Sequence, residues 1–265
     1  MIKLIASDMD GTLLDEHSQV PPETYDLILG LREHGVRFAV SSGRRYDTLC
    51  EFFAPVIDQM DFVASNGAQV YVDGRMVDRE VFSHSAILRL EEIIRFFDCL
   101  HLVLFDRTSS FLFDDTEIYE REIDKDLPRA CRVYKTPGPE VNILKASIYC
   151  DDHDKTMDMA YALSRELSDK FVFAPSGSKW IDVMQLGVTK ATGIQQVMHA
   201  HNITADEVMA FGDAMNDYEI LRMVGDACAM GNARYAIRQI SNRVVGTNVE
   251  HGVQQEMRRL LESLS

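Results

Sequence analysis

Short apolar runs alternate with helical segments along the first eighty residues. Residues 3–7 form an apolar run typical of a buried strand, and the spacing of apolar positions predicts a helix over 22–33. Apolar runs at 36–41 and 62–64 predict two further strands, and polar residues follow each of them. Strands that alternate with helices in this way are typical of parallel βαβ units.

A different pattern begins at about residue 83. Ser83 is placed to cap a helix that runs to residue 97, and the apolar runs 100–105 and 111–113 flank a polar turn, which predicts a hairpin. A looser stretch with several prolines follows. The remaining predicted elements are strands at 143–150, 171–174 and 180–184 and a helix over 155–168. This mixture predicts an α+β domain over residues 83–185, inserted into the first pattern.

The alternating pattern returns after residue 185. Its predicted elements are helices over 189–200 and 253–264, and strands at 208–211, 227–230 and 243–245. We therefore predict an α/β fold with a doubly wound parallel-sheet core, made by residues 1–82 and 186–265 and interrupted by the inserted domain.

The charge of the 265-residue chain limits its partners. The formal net charge is −15, which disfavours nucleic acid because phosphate backbones need a basic surface. A phosphorylated small molecule is not excluded, since a bound divalent cation reverses the local field whatever the net charge. The sequence carries no signal for an oligomeric state.

Composition also indicates a compartment. No apolar run approaches the length of a membrane helix, and the first residues lack the pattern of a signal peptide. The five cysteines are dispersed without a C-x-x-C pair, which is typical of reduced cytosolic thiols. We expect a cytoplasmic protein without membrane partners.

Two carboxylates one residue apart follow the first predicted strand. Asp8 and Asp10 lie where this strand ends and Gly11 turns the backbone. In an open α/β sheet, ligands bind at the carboxyl ends of the strands. Two acids at that edge attract a cation or a proton, so the pair suggests phosphoryl chemistry on an aspartate.

Further polar groups follow predicted strands or begin a predicted helix, and parallel strands bring such positions to one sheet edge. They are Ser42-Gly43-Arg44, Lys190, and Gly212-Asp213 with Asn216-Asp217. Carboxylates clustered there would repel one another and a phosphate group. Mg²⁺ would relieve both repulsions, because it takes oxygen ligands from carboxylates, phosphate and water. Ser42 and backbone N–H groups can hold other phosphate oxygens, and Lys190 can shield the developing negative charge.

Covalent catalysis is possible at such an edge. An aspartate can attack phosphorus and form an aspartyl-phosphate, which water then hydrolyses. The leaving alkoxide needs a proton, and the attacking water must lose one. An acid two residues from the nucleophile, on the turn that ends the strand, can do both.

Each of these groups also has a structural interpretation. Asp213 and Asp217 could cap the following helix, and Ser42 could be the N-cap of the helix after Gly43. Lys190 could be a solvated lysine, although the first turn of a helix disfavours a cation because the helix N-terminus is already positive.

Two features outside this group are ambiguous. His199 and His201 have metal-like spacing, but solvated histidines are common near helix C-termini. Trp180 lies in a predicted strand of the inserted domain and suits ordinary packing and a pocket wall equally.

Six short motifs occur in a defined order. They are D-x-D-G-T-L-L at 8–14, S-G-R at 42–44, N-G-A at 66–68, G-V-T-K at 187–190, G-D-x-x-N-D at 212–217, and Thr247-Asn248 ahead of Gly252-Val253. Together they resemble the haloacid dehalogenase-like (HAD) phosphatases, and within them the Cof-type group of subclass IIB. The resemblance extends over essentially the whole chain, and six motifs in order are far more specific than any one.

The resemblance implies roles for individual residues. Asp8 would be the nucleophile and Asp10 the general acid and base, with Lys190 also in the catalytic group. The residues that would bind the phosphoryl group are Ser42, Gly43, Lys190 and Asn216.

The resemblance also implies a metal site. Mg²⁺ would be held by Asp8, by the backbone carbonyl of Asp10 and by Asp213. Asp217 would hold Lys190 or a metal-bound water from behind.

The inserted segment would be a cap that closes over the active site and selects the substrate. Ala191 stands where many relatives have glycine, and Gln185-Leu186 stands where proline is common. Both departures lie near the predicted hinge, so they bear on how the cap closes and not on the chemistry.

Three functions are compatible with these residues. The first is a Mg²⁺-dependent phosphatase that hydrolyses small phosphomonoesters, such as sugar phosphates or phosphorylated cofactors, through an aspartyl-phosphate. The second is a phosphomutase of the same superfamily, which returns the phosphoryl group to its product. The third is a phosphorylation-sensing binding module. The length of the chain and the hydrolytic route that Asp10 offers argue against the third.

Overall fold

The computed structural model describes residues 1–113, 116–127 and 130–264, and the chain divides into two compact units. The first contains Met1–Arg79 and Val188–Ser265, and the second contains Glu80–Gly187. Among the described residues, no helix has the length and apolar character that crossing a membrane requires.

Strands and helices alternate through most of the described chain. The strands are β1 (Leu4–Ser7), β2 (Arg37–Ser41), β3 (Asp61–Ala64), β4 (Gln69–Val72), β5 (Arg75–Arg79), β6 (Leu100–Phe105), β7 (Ser110–Phe113), β8 (Cys131–Val133), β9 (Lys145–Cys150), β10 (Phe171–Ser176), β11 (Trp180–Gln185), β12 (Val208–Gly212), β13 (Asp226–Ala229) and β14 (Arg243–Val244). The helices are α1 (Glu23–Glu33), α2 (Tyr46–Phe52), α3 (His84–Ile94), α4 (Thr116–Ile118), α5 (Asp124–Asp126), α6 (Thr156–Leu167), α7 (Lys190–His201), α8 (Tyr218–Met223), α9 (Tyr235–Ile240) and α10 (Gly252–Leu264).

An eight-stranded sheet forms the centre of the first unit. Its strand order is β14-β13-β12-β1-β2-β3-β4-β5. The strands from β14 to β3 are parallel, and β4 and β5 are antiparallel additions at one edge. The chain runs from β1 outwards to β2 and β3, and later returns on the other side of β1 as β12. This reversal beside β1 creates a crevice at the carboxyl ends of the strands. The predicted doubly wound core is confirmed.

The apolar run of β1 is explained by its central position. Leu4, Ile5 and Ala6 are completely buried, as expected for a parallel strand with neighbours on both edges and side chains packed on both faces. Ile28 of α1 and Ile194 of α7 belong to the same buried cluster. This cluster holds β1 rigidly, so the residue that follows it has a well-defined position.

A six-stranded sheet forms the second unit, in the order β10-β11-β9-β6-β7-β8. Neighbouring strands are antiparallel except for β7 and β8. Leu90 of α3 and Leu163 of α6 belong to one apolar cluster with Ile148 of β9. Ser83 caps α3 by accepting a hydrogen bond from the Ala86 N–H at 3.2 Å, as the sequence predicts. The predicted α+β character of this segment is confirmed.

The sequence analysis set no bounds for several short elements. Helix α2, mentioned there only as a helix after Gly43, has only Leu49 fully buried, so it lacks the repeated apolar spacing that identifies a helix. Strand β8 has three residues, which is too short for an alternating pattern. Helices α4 and α5 fall in the stretch that the sequence left as irregular.

Candidate active site

Three parallel strands of the first unit end side by side. Ser7, the last residue of β1, is in register with Val40 near the end of β2 and with Phe211 near the end of β12. The backbone N–H of Asp8 continues this ladder by donating to the Phe211 carbonyl at 3.1 Å. The residues that follow β1, β2 and β12 therefore leave the sheet at one edge, as the sequence analysis expected.

A buried ammonium group lies between two buried carboxylates at this edge. Lys190 is 1% exposed, and its Nζ donates to Oδ1 of Asp8 and to Oδ1 of Asp217, each at 2.6 Å. Thr189 caps α7 by accepting from the Thr192 N–H at 3.2 Å, which makes Lys190 the first residue of the helix. Two carboxylates offset the unfavourable position of a cation at a helix N-terminus. The alternative of a solvated lysine is wrong.

The electrostatics of this trio favour a charged lysine. Burial opposes the charge of Lys190, but the carboxylates of Asp217 and Asp8 outweigh burial and raise its pKa. Burial raises the pKa of Asp8, helped by the charges of Asp217 and Asp213 and opposed by Lys190. One ammonium cannot neutralise three nearby carboxylates, so the ionised side chains of this cluster carry more negative than positive charge.

Asp213 and Asp217 approach the same point from the loop after β12. Oδ1 of Asp213 accepts from the Thr12 hydroxyl at 3.1 Å, and burial, with the charge of Asp217, raises the pKa of Asp213 to about 6. Oδ2 of Asp217 accepts from the backbone N–H groups of Asp213 and Ala214, at 3.0 and 3.1 Å. Asp217 therefore caps its own turn with one oxygen and holds the Lys190 ammonium with the other.

The cluster fits a divalent cation. Asp8, Asp213 and Asp217 each offer a carboxylate oxygen within 4.8 Å of the others. Both oxygens of Asp217 already accept hydrogen bonds, so Asp8 and Asp213 are the better ligands. Carboxylate oxygens suit Mg²⁺, and a cation would relieve the repulsion that raises the pKa values of Asp8 and Asp213.

Asp10 points to a different partner. Its side chain is 57% exposed, and its two oxygens accept from Nε and Nη2 of Arg44, at 2.9 and 2.6 Å. The Arg44 guanidinium lies over the Phe52 ring, 4.9 Å from its centroid. Hydrogen bonding to Asp10 is the main cause that raises the pKa of Arg44. The sequence analysis named Arg44 only as part of the S-G-R motif and did not predict its pairing with Asp10. The motif was the sequence feature that could have pointed to Arg44.

The loop after β2 holds Ser42 and Gly43. Ser42 is 1% exposed, and its hydroxyl accepts from the Arg44 N–H at 3.2 Å. Helix α2 begins later, after Arg45, so the alternative that Ser42 caps this helix is wrong. Gly43 lies between Ser42 and Arg44 in the same loop.

Asn216 contacts the N-G-A motif. Its Nδ2 donates to Oδ1 of Asn66 at 3.2 Å. Asn66 and Gly67 both have positive φ, of 56° and 105°, so a tight turn after β3 presents the Asn66 side chain to the loop after β12. The structure thus groups Asp8 with Lys190 and the two later aspartates. Asn216 precedes Asp217 in the chain, but its side chain bonds to Asn66.

Gly67 packs closely against the residue that precedes α7. We expect Gly67→Ala to destabilise the first unit by roughly 3 kcal/mol, because the added methyl group overpacks this contact and strains a left-handed backbone conformation. A Cβ at this position would lie 2.0 Å from the Thr189 carbonyl oxygen, and φ is +105°. Urea unfolding measures the loss. Gly35→Ala is the matched control, because Gly35 has φ +79° with nothing within 4 Å of the added Cβ. Equal losses in the two variants would show that the contact with Thr189 is unimportant.

Two residues noted in the sequence lie outside the cluster. Nε2 of His201 is 2.9 Å from Oδ2 of Asp61 at the amino end of β3, and Asp61 also accepts from Arg37 at 2.9 Å. His201 therefore belongs to an ion-pair network at the sheet edge opposite the active-site candidates. Within the second unit, Trp180 packs edge-on against Tyr149, with ring centroids 5.2 Å apart.

Known proteins share this architecture. The family described as haloacid dehalogenase-like hydrolase matches residues 5–257. The chain is 29% identical over 261 residues to the 5-amino-6-(5-phospho-D-ribitylamino)uracil phosphatase YbjI of Escherichia coli (strain K12), covering 95% of this chain and 93% of the relative. The structure of SMU.1108c from Streptococcus mutans UA159 superimposes with a TM-score of 0.88 at 25% identity, over 99% of this chain and 100% of the other. The HAD subclass IIB sugar phosphatase BT4131 shares the fold, with a TM-score of 0.82 at 17% identity over 99% and 100% of the two chains.

Proposed function

The chain belongs to the haloacid dehalogenase-like hydrolases, Cof-type subclass IIB, and is a phosphatase; on this premise we propose that it hydrolyses small phosphomonoesters with Mg²⁺ through an aspartyl-phosphate. The observation that carries the proposal is the buried Asp8–Lys190–Asp217 trio with Asp213 beside it. A nucleophilic carboxylate, a fixed positive charge and metal ligands are the groups that phosphoryl transfer to an aspartate needs.

In the proposed first step, the Asp8 carboxylate attacks phosphorus and the ester P–O bond breaks. Asp10 donates a proton to the leaving alkoxide, which departs as an alcohol. Lys190 stays charged beside Asp8 and stabilises the negative charge on the transferring group. Ser42, Gly43 and Asn216 would bind the phosphoryl oxygens.

In the second step, water attacks the aspartyl-phosphate and restores Asp8. Asp10, now ionised, takes the proton of the attacking water, and inorganic phosphate leaves. A divalent cation held by Asp8, Asp213 and the Asp10 carbonyl would supply charge neutralisation that lets a dianionic ester approach the carboxylates.

The proposed substrate class is small phosphorylated metabolites. The Escherichia coli relative is named for a phosphorylated ribitylamino-uracil, and the structural neighbour for sugar phosphates. Both are phosphate esters of polyhydroxylated carbon chains. We infer that the second unit selects among such esters.

The proposal predicts metal-dependent phosphate release from a panel of phosphomonoesters. We expect EDTA to reduce kcat by at least about 100-fold, since a metal ion contributes several kcal/mol of charge stabilisation, and added Mg²⁺ to restore it. Sodium chloride at matched ionic strength is the control, and circular dichroism checks that the chelated protein stays folded.

The same panel separates the alternatives. Isomerised ester without free phosphate would identify a phosphomutase. Full turnover in EDTA would contradict the proposed dependence on a metal ion. A protein that becomes phosphorylated but releases no phosphate would contradict the proposed hydrolysis of the aspartyl-phosphate.

A further inference from the structure

The loop that carries Asp10 is held from outside by side-chain amides. The loop, residues 8–14, has irregular backbone, with Asp10 at φ −73°, ψ 119° and Gly11 at φ 76°. Irregular backbone leaves carbonyl groups without a regular partner, and such groups need another donor. Three side chains donate to them: Asn232 Nδ2 to Gly11 O at 2.8 Å, Gln254 Nε2 to Leu13 O at 3.2 Å, and Asn248 Nδ2 to Leu14 O at 2.9 Å.

These amides, here called the amide clamp (Asn232, Asn248 and Gln254), belong to one C-terminal segment. The Asn248 N–H donates to Oδ1 of Asn232 at 3.1 Å, so two members are linked directly. Gln254 is completely buried and also donates to the Thr24 hydroxyl at 2.9 Å. Two members of the clamp are therefore connected, and the third is anchored separately to α1.

The turn that carries Asn248 is itself held in place. The Thr247 N–H donates to Oε2 of Glu250 at 2.9 Å, and the Glu250 N–H donates to Oγ1 of Thr247 at 3.2 Å. Reciprocal bonds of this kind fix a turn before a helix begins, and α10 begins at Gly252. Asn248 thus presents its amide from a rigid support.

The two acids of the loop differ in what fixes them. Asp8 is buried, bonded to β12 through its N–H and to Lys190 through its carboxylate. Asp10 is exposed, and among the described residues its carboxylate bonds only to another side chain, that of Arg44. The position of the Asp10 side chain therefore depends on the conformation of the loop backbone. Asn232 holds that backbone one residue after Asp10, by donating to the carbonyl of Gly11.

We propose that the amide clamp positions Asp10 for proton transfer to the leaving group. This rests on the proposed function and assigns a positioning role to residues that the proposed mechanism does not use. Only a donor can hold a carbonyl, so Asn→Asp at position 232 or 248 replaces an attraction by a repulsion while keeping the side-chain size.

The test uses two esters that differ in their need for a proton. An alkyl phosphate has a basic leaving group that requires protonation, whereas a nitrophenyl phosphate does not. The readout is kcat/KM, which reports only the steps up to departure of the alcohol, because the later hydrolysis of the aspartyl-phosphate also uses Asp10 and is common to both esters. We expect Asn232→Asp and Asn248→Asp to lower kcat/KM for the alkyl ester by about 10–100-fold, given that a 1 Å misplacement can cost this much. For the nitrophenyl ester we expect less than about a 3-fold change in kcat/KM, because general acid catalysis contributes little there. Asp10→Asn calibrates the effect and should show the same selectivity.

Asn242→Asp is the matched control. Asn242 acts as an acceptor, from the Ala227 N–H at 2.7 Å, so the aspartate keeps this bond and both esters should react as with the unchanged protein. If the clamp variants lose the same fraction of activity on both esters, or lose none, the inference is wrong and the proposed function still stands. A wild-type protein that releases phosphate from neither ester would overturn the proposed function, and this inference with it.

Discussion

Asp8→Asn is expected to abolish turnover while the protein stays folded. An amide cannot form the aspartyl-phosphate, and removing a nucleophile costs on the order of 10⁴-fold or more in kcat. Lys190 keeps Asp217 as a partner at 2.6 Å, so a balanced buried pair remains. The expected result is a folded protein whose phosphate release is close to background.

The same variant has an expected effect on stability. Burial raises the pKa of Asp8 in the folded, metal-free protein, so ionising this group disfavours the folded state. That cost appears as pH rises above the usual carboxyl pKa of about 4 and is complete above the raised pKa of the folded state. Asp8→Asn removes the cost, and its stability relative to the unchanged protein should therefore increase from pH 5 towards pH 8.

Two measurements check this prediction. Phosphate release with the most active ester gives kcat, and urea unfolding at pH 5 and pH 8 without metal gives the stability difference. Asp58→Asn, the same change at an exposed position of the first unit, is the control and should alter neither. Turnover above about one per cent of the unchanged protein would refute Asp8 as the nucleophile, since that loss is far below the cost of removing one.

Lys190→Met is expected to lower both stability and activity. The ammonium is 1% exposed and holds two carboxylates, and breaking a buried ion pair costs about 3–5 kcal/mol because an uncompensated charge remains. Loss of a fixed charge beside the reacting group should reduce kcat by about 10²–10³-fold. Without Lys190, which lowers the pKa of Asp8, the pKa of this carboxyl rises further, so the loss of stability should be larger at pH 8 than at pH 6.

A second variant separates the two effects. In Lys190→Met with Asp217→Asn, one carboxylate charge is removed, and the side-chain carbonyl of the introduced asparagine still accepts from the turn that Asp217 caps. We expect urea unfolding to show that most of the lost stability returns, while kcat stays low. Recovery of activity together with stability would mean that Lys190 acts only by neutralising Asp217 and does not act on the phosphoryl group.

Much of the site could be anticipated from local sequence. The apolar run of β1, the helix spacing before Gly35 and the glycine-rich turns place Asp8, Ser42 and Asp213 after strands, and parallel strands share a carboxyl edge. The meeting of Asp8 and Asp217 agrees with that rule, and Lys190, the first residue of α7, joins them with its Nζ at 2.6 Å from each carboxylate. Their catalytic roles stay a prediction until the variants are measured.

The contacts that hold Asp10 could not be anticipated in the same way. Arg44 is one of two adjacent arginines in the loop after β2, and nothing in its spacing distinguishes Asp10 from Asp47 as a partner. Asn232 and Gln254 lie 221 and 241 residues from the carbonyls they bind, and no periodic pattern connects positions so far apart.

The fold class, the order of the main strands and helices, and the acids and the lysine available at the sheet edge could all be inferred from the sequence. These follow from hydrophobic periodicity, which acts over a few residues, and from the general geometry of parallel sheets. The pairing of donors with acceptors became visible in the folded chain: Asp10 pairs with Arg44, Asp217 divides its oxygens between a turn and Lys190, and C-terminal amides hold the loop after β1. Such pairings depend on side-chain packing between segments distant in sequence, and a hydrogen bond is satisfied by any suitable partner that packing brings within reach.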